Sequence, residues 1–234
     1  MAKRDHSKVI AIDGPAAAGK STVARELAES LGVLLFDTGA LYRCVTLKAI
    51  QKEADLDNEK AIAKIAKKAK IKLKAASVED GRPADVFLDG DDVTWAIRQP
   101  EVDANVSKVA AYPAVREALL DVQRDNADGN PVVMVGRDIG TVVTPHAGLK
   151  IYLDATAEER ARRRFQDMRR QGEDMEFALV LDELRERDFK DSTRATAPLK
   201  AADDAVRIKT DGLDVDEIVG QIERMVRERW AAKA

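Results

Sequence analysis

The sequence predicts an α/β fold, a parallel β-sheet core with helices on both faces. Three observations lead there. Short apolar runs at 9–12, 33–36, 132–135 and 151–153 alternate with segments of helical periodicity, and strands read as continuous apolar runs when helices cover both faces of their sheet. The first run opens into Gly14-Pro15-Ala16-Ala17-Ala18-Gly19-Lys20-Ser21-Thr22, the spacing G-x-x-x-x-G-K-[ST], and a helical stretch follows it. Between Ile71 and Ile97 the pattern changes to alternation, so a small antiparallel lobe is inserted in the βα chain. A length of 234 residues suits one core with such lobes.

The elements follow in order. Val9-Ile10-Ala11-Ile12 is the first strand, and Val23 to Leu31 carries apolar residues at helical spacing. Val33 to Phe36 is a second strand ending at Asp37-Thr38-Gly39. Helices are expected from Ala40 to Lys52 and from Asn58 to Ala69, the latter with lysines on its outer face. In the lobe, Asp85 to Leu88 and Val93 to Trp95 flank Asp89-Gly90-Asp91, a hairpin turn. Helices then run from Pro100 to Ala110 and from Pro113 to Ala127. The strand Val132 to Val135 ends in Gly136-Arg137-Asp138, and Lys150 to Asp154 is a fourth core strand. Thr156 caps an Arg-rich helix reaching Gln171, with Glu159 three residues on to complete a capping box. A helix from Glu176 to Phe189, a strand from Ala205 to Ile208 and an amphipathic helix from Asp216 to Trp230 close the chain.

Strand, glycine-rich turn and helix together make a phosphate-binding loop. The bare pattern arises by chance in roughly one chain of this length in a hundred, and the flanking elements lower that further. The glycines let several N–H groups converge on one anion, and the helix adds the positive end of its dipole. Lys20 is placed to reach the β- and γ-phosphates, and the Ser21 hydroxyl to ligate Mg²⁺. Ligands of such sheets lie beyond the carboxyl ends of the strands, where Asp37, Arg137 and Asp138 also fall. Arg43, Arg116, Arg137, Arg160, Arg163, Arg164, Arg187 and Arg194 lie near strand ends or on the helices beyond them. Each alone reads as a solvated charge. Arg162, Arg163 and Arg164, however, wind around more than half a helix, so some face inward or towards a ligand.

Composition and missing motifs exclude several classes. A net charge of −3 gives no global basic excess of the kind nucleic-acid binding calls for. The one cysteine, Cys44, excludes an internal disulfide and reads as a small buried residue. No apolar run approaches the roughly 18 residues of a membrane span, so a reducing, cytoplasmic setting is expected. No Asp has Gly three positions on and no Asn is followed by Lys, which removes a GTPase switch. His6 and His146 read as surface residues, and no catalytic carboxylate pair stands out. A phosphoryl transferase acting on a small molecule fits, because a phosphate acceptor is already anionic and needs no general base.

These residues resemble the bacterial cytidylate kinases. The matching segments are Ile12 to Thr22, Asp37-Thr38-Gly39-Ala40-Leu41-Tyr42-Arg43, Val106 to Arg116, Gly136-Arg137-Asp138-Ile139-Gly140-Thr141-Val142-Val143, Glu159 to Arg164 and Glu186 to Arg194, with Ala197-Pro198-Leu199. They run in family order over nearly the whole chain. The resemblance implies a P-loop kinase fold whose core is 1–70, 107–158 and 190–234, with a monophosphate-binding lobe at 71–106 and a mobile helical lid at 159–189. It implies transfer of the γ-phosphoryl group of ATP to CMP or dCMP with Mg²⁺, in a monomer without nucleic-acid or membrane partners. It sets Gly14 to Thr22 on ATP. Ser107, Arg116 and Asp138 surround the cytosine, and Arg43, Arg137 and Arg194 hold the acceptor phosphate. Arg187 and Asp191 lie on the ribose and phosphate side, and Arg160, Arg163 and Arg164 are lid arginines. Thr38 stands where many relatives have Ser. A carboxylate at Asp138 can accept from the cytosine N4 amino group, whereas uracil offers an acceptor there. The plainer alternative is that Asp138 only orients Arg137 through an ion pair. The tail to Ser7 matches no motif and is expected to be disordered. Other small-molecule kinases of this core and a non-catalytic nucleotide-binding module are the alternatives.

Overall fold

A computed structural model describes residues 4–170, 172 and 174–231. Five strands form one parallel sheet: β1 (Val9–Asp13), β2 (Leu34–Asp37), β6 (Val132–Val135), β7 (Leu149–Asp154) and β8 (Val206–Lys209), in the order β2-β6-β1-β7-β8. Strand β1 is central, with Ile10 opposite Val133 on one side and Leu149 on the other. Its side chains alternate between two cores, as the period of two requires. Val9 and Ala11 join the helices α2 (Thr38–Gln51), α3 (Glu59–Lys68), α4 (Pro100–Ala111) and α5 (Pro113–Ala127) on one face. Ile10 and Ile12 join α1 (Lys20–Leu31) and α8 (Val215–Ala231) on the other.

A separate antiparallel sheet is formed by β3 (Ile71–Lys74), β4 (Asp85–Leu88) and β5 (Asp91–Asp92). Asp89 and Gly90 turn the chain between the last two, both at positive φ (56° and 109°), as a tight hairpin demands. Beyond β7, α6 (Ala157–Arg170) packs against α7 (Phe177–Thr193) through Ala161, Met168, Val180 and Leu184. This third cluster also takes in Ala16 of the phosphate loop, so the helix pair is seated directly on that loop.

Several expectations need correction. Helix α7 continues one turn past Phe189, to Thr193, because nothing between Phe189 and Thr193 breaks it. The capping box on α6 is half made: the Glu159 N–H donates to Thr156 Oγ1, but the Glu159 carboxylate accepts from Arg162 and Arg163 instead. The expected end of α6 at Gln171 lies outside the described residues. The tail is stitched into the fold from Arg4 onward, while residues 1–3 are outside the described residues. Arg4 pairs with Asp121 and Asp125, and the Asp5 carbonyl accepts from Gly129 N–H. His6 is buried rather than on the surface, because its carbonyl accepts from Val9 and Gly148 and draws the residue in against the amino ends of β1 and β7. Gly148 allows that approach; a Cβ there would stand 2.0 Å from the Ser7 carbonyl oxygen. Cys44 is buried, and burial pushes its thiol up to about 12, which leaves it inert. Among the described residues, no helix is long and apolar enough to cross a membrane.

Candidate functional site

The carboxyl ends of β1, β2 and β6 open into a cavity of about 680 Å³. Its floor is the phosphate loop. Gly14 has φ +148°, and a Cβ there would lie 2.0 Å from the Leu153 carbonyl oxygen of β7, so only glycine lets the loop leave the sheet at this point. Ala17 and Gly19 are also left-handed, and Gly19 begins α1 with no side-chain cap, which leaves the first N–H groups of the helix open to an anion. Ala16, Ala17, Ala18, Gly19, Lys20, Ser21 and Thr22 line the cavity. Gly14 and Pro15 do not; they shape it, their carbonyls accepting from Arg137 Nη1 (2.8 Å) and from Lys20 Nζ (2.5 Å).

Helix α2 begins where β2 stops, because the Asp37 side chain caps Gly39 N–H. Thr38 gives its hydroxyl to the Val135 carbonyl (2.8 Å), which ties the ends of β2 and β6 together beneath the cavity. One turn on, Arg43 is held by the Ile97 carbonyl and by Asp103. Helices α4 and α5 bring Ser107 and Arg116 to the same wall. Arg116 donates to the Ala110 carbonyl, lies over the Tyr42 ring and forms a buried ion pair with Asp138. After β6, Gly136 packs where a Cβ would meet Ile139 and Thr38 at under 3 Å, and Arg137 and Asp138 follow it. Their partners differ from the expected one. Asp138 pairs with Arg116 and lies 3.9 Å from Arg194, while Arg137 pairs with Asp191 at 2.9 Å. The reading in which Asp138 only orients Arg137 is therefore overturned.

The nine residues expected on the acceptor side, Thr38, Arg43, Ser107, Arg116, Arg137, Asp138, Arg187, Asp191 and Arg194, all line this one cavity. The three lid arginines divide. Arg163 reaches the loop: its guanidinium bonds Glu159 and Thr210 and sits where a Cβ on Gly19 would touch it at 3.6 Å. Arg164 is at the mouth, 3.8 Å from Asp103. Arg160 lies outside the cavity lining. It is buried behind the loop, donating to the Ala16 and Ala155 carbonyls and pairing with Asp188 at 2.6 Å.

Charge is concentrated at the centre. Burial, then Arg137 and Arg187, hold the Lys20 ammonium well below its ordinary value. Arg187 is lowered to about 10 by burial and then by Arg137, and its Nε has no hydrogen-bond acceptor among the described residues. Behind the loop, Asp13 accepts from the N–H groups of Ile139 and Gly140, both at 2.8 Å. Burial nevertheless lifts its carboxyl to about 6. Asp13, Asp103, Asp188 and Thr210 have structural parts in the site that the sequence did not single out. For Asp13 alone a signal existed, its position directly before the loop.

A parallel sheet with a phosphate loop at its carboxyl edge, opening into a cavity lined with arginines, defines a P-loop phosphotransferase. Within that class the chain belongs to the cytidylate kinase family, whose profile, described as "Cytidylate kinase", matches residues 10–228. It is 51% identical over 215 residues to a cytidylate kinase of Desulforamulus reducens, covering 92% of this chain and 95% of that one. It is 46% identical to a cytidylate kinase of Caldanaerobacter subterraneus subsp. tengcongensis, covering 94% of each chain. A bifunctional pantoate ligase/cytidylate kinase of Synechococcus elongatus is 47% identical, with 94% of this chain aligned to 42% of that one.

Proposed function

We infer that the protein transfers the γ-phosphoryl group of ATP to CMP or dCMP, giving ADP and CDP or dCDP. The observation that carries this reading is the grouping of Lys20, Arg137 and Arg187. Burial and the two arginines depress the Lys20 ammonium in a part-buried space beside the phosphate loop, and Arg187 Nε has no acceptor among the described residues. A transferring phosphoryl group, with charge spread over its equatorial oxygens, is the ligand such a set stabilises.

In this reading the loop N–H groups and Lys20 hold the donor phosphates. Arg43, Arg137 and Arg194 orient the acceptor phosphate in line with the γ-phosphorus. An acceptor oxygen forms the new P–O bond as the bond to the β–γ bridging oxygen breaks, and no protein base is required because the acceptor is already a dianion. Arg163 and Arg164 close over the donor side. Asp138 and Arg116 read the pyrimidine edge with Ser107, and Arg187 and Asp191 serve the ribose and phosphate side.

Mg²⁺ fits the donor set. Ser21 presents one hydroxyl to the cavity, and among the described residues no three His, Cys, Asp or Glu side chains cluster as ligands. Mg²⁺ suits such a site because it keeps several waters and takes other ligands from phosphates. Bound there, it would neutralise charge on the β- and γ-oxygens. The test is ADP formation with CMP, dCMP, UMP, AMP, shikimate and no acceptor. Turnover that is fastest with CMP and dCMP supports the reading. Preference for shikimate, or ADP formation indifferent to acceptor, would overturn it.

A further inference from the structure

Asp103 has no part in the chemistry described above, yet it sits at the meeting point of three helices. On α4, it offers Oδ1 to Arg43 of α2 and lies with Oδ2 3.8 Å from Arg164 of α6. Its side chain is 30% exposed, at the mouth of the cavity rather than in its floor. The Ile97 carbonyl takes the other arm of Arg43 at 3.0 Å, so that guanidinium is fixed at two points and its remaining edge is turned to the cavity. Asp103 is also a nearby negative charge for Arg98 and Arg187, both lowered chiefly by burial and both opposed by Arg43. One carboxylate therefore contacts two arginines, from α2 and from α6, and lies within electrostatic reach of two more.

We propose that Asp103 is a positioning residue that couples the Arg-rich helix pair to the acceptor side: one oxygen orients Arg43 and the other docks Arg164. This rests on the kinase reading above and goes beyond it, since it assigns how closure of α6 and α7 is communicated to the acceptor phosphate. A carboxylate suits the task because its two oxygens can take two guanidinium groups at once. It also suits reversal. A pair at the cavity mouth is partly solvated, so it is weak enough to break and reform in each cycle. When Arg164 is docked, Asp103 shares its charge between two arginines, and Arg43 is left freer to bind an acceptor phosphate.

The test is a double-mutant cycle with Asp103→Asn and Arg164→Gln, read in two ways. Asn keeps an acceptor for Arg43 and removes the charge that docks Arg164. In turnover, each single variant should lose about tenfold in kcat/KM for CMP with Tm held, and in Asp103→Asn KM for ATP should change less than about twofold. The double variant should lose no more than the worse single, since contacting residues are non-additive. Asp103→Glu, which restores the charge, should recover most of the loss. Amide exchange across 157–170 in the ligand-free protein reads the same link without turnover: it should quicken alike in both single variants and no further in the double. Additive losses, or exchange on α6 unchanged by Asp103→Asn, would overturn the proposal. A wild-type protein inactive on CMP would sink the kinase reading instead, and the exchange cycle would still decide the link.

Discussion

Replacing Asp138 by Asn separates two roles that one carboxylate plays. Asp138 is 5% exposed and Arg116 is 7% exposed, so their ion pair is largely desolvated. Removing the charge leaves Arg116 buried without its counter-ion, with Arg194 only 3.9 Å from the other oxygen. Breaking a buried pair in this way costs about 3–5 kcal/mol. For 234 residues the unfolding entropy is about 0.5 kcal/mol/K. The expected fall in Tm is thus about 6–10 °C, measured by calorimetry. That loss says nothing about base choice, because it falls equally on every substrate.

Base choice is read from a ratio. With UMP, the Asp138 carboxylate faces O4, and two acceptors opposed in a dry pocket cost about 1–3 kcal/mol. At 1.36 kcal/mol per factor of ten, this is about 5- to 150-fold discrimination. Asn offers O4 an amide N–H, so the ratio of kcat/KM for CMP over UMP should fall by that amount. Steady-state ADP release at a temperature well below the variant's Tm measures it. If the ratio is unchanged while both rates drop, Asp138 serves only to hold Arg116 and Arg194, and the reasoning about base reading fails.

Lys20→Ala should leave the fold intact and reduce kcat by about 10²–10³, the usual cost of losing one donor to developing charge; a variant retaining a tenth of the rate would remove Lys20 from the transfer step. Arg160→Met keeps the buried stem but frees the Ala16 carbonyl and Asp188. The loop should then be misplaced, raising KM for ATP about tenfold or more and KM for CMP much less, and equal changes in the two constants would count against a brace behind the loop. Asp13 makes a pH-dependent contribution. Its carboxyl is raised in the fold from 3.8 to about 6, so the folded state holds the proton more tightly and stability from this group falls as pH rises between those values. In urea titrations, wild type should lose about 2 kcal/mol relative to Asp13→Asn between about pH 4.5 and 7.5. A gap independent of pH would mean that Asp13 stays ionised in the fold throughout.

The elements that position the site were legible because their signals are local. Four apolar residues and a glycine-rich turn specify β1 and the phosphate loop, and Gly14 could be placed because no other residue fits its φ. The turn at Asp89-Gly90 was legible for the same reason, but its second strand is Asp91–Asp92 and not the expected Val93 to Trp95, which lies beyond it. The tail was misread because its order depends on the Gly129 N–H and on Asp121 and Asp125, far away in sequence. Arg160 was misread because arginines on one helix look alike until their directions are known. Position 160 points back at the Ala16 carbonyl, position 162 outward to solvent, position 163 to Thr210 and position 164 to the cavity mouth.

Cations were easier to read than the anions that balance them, and the reason bears on how the site stays open. Arginines cluster in sequence at 160–170, whereas Asp103 pairs with Arg43 across 60 residues, and an isolated aspartate on a helix carries no local mark. In three dimensions, among the described residues, nine cationic side chains and six aspartates line the cavity, an excess of three positive charges in a protein whose formal charge is −3. The excess draws polyphosphates in. The aspartates make it tolerable without them, because buried arginines lacking any counter-charge would destabilise the fold by several kcal/mol each. Asp103, Asp138 and Asp191 are each paired with an arginine of the cavity wall, so the wall is held in place before a nucleotide arrives. A phosphate entering such a wall meets donors already aimed and need only compete with a carboxylate, rather than first order a set of mutually repelling side chains. That ordering cost, about 0.5–1.5 kcal/mol for each long side chain immobilised, is met on folding instead of on binding.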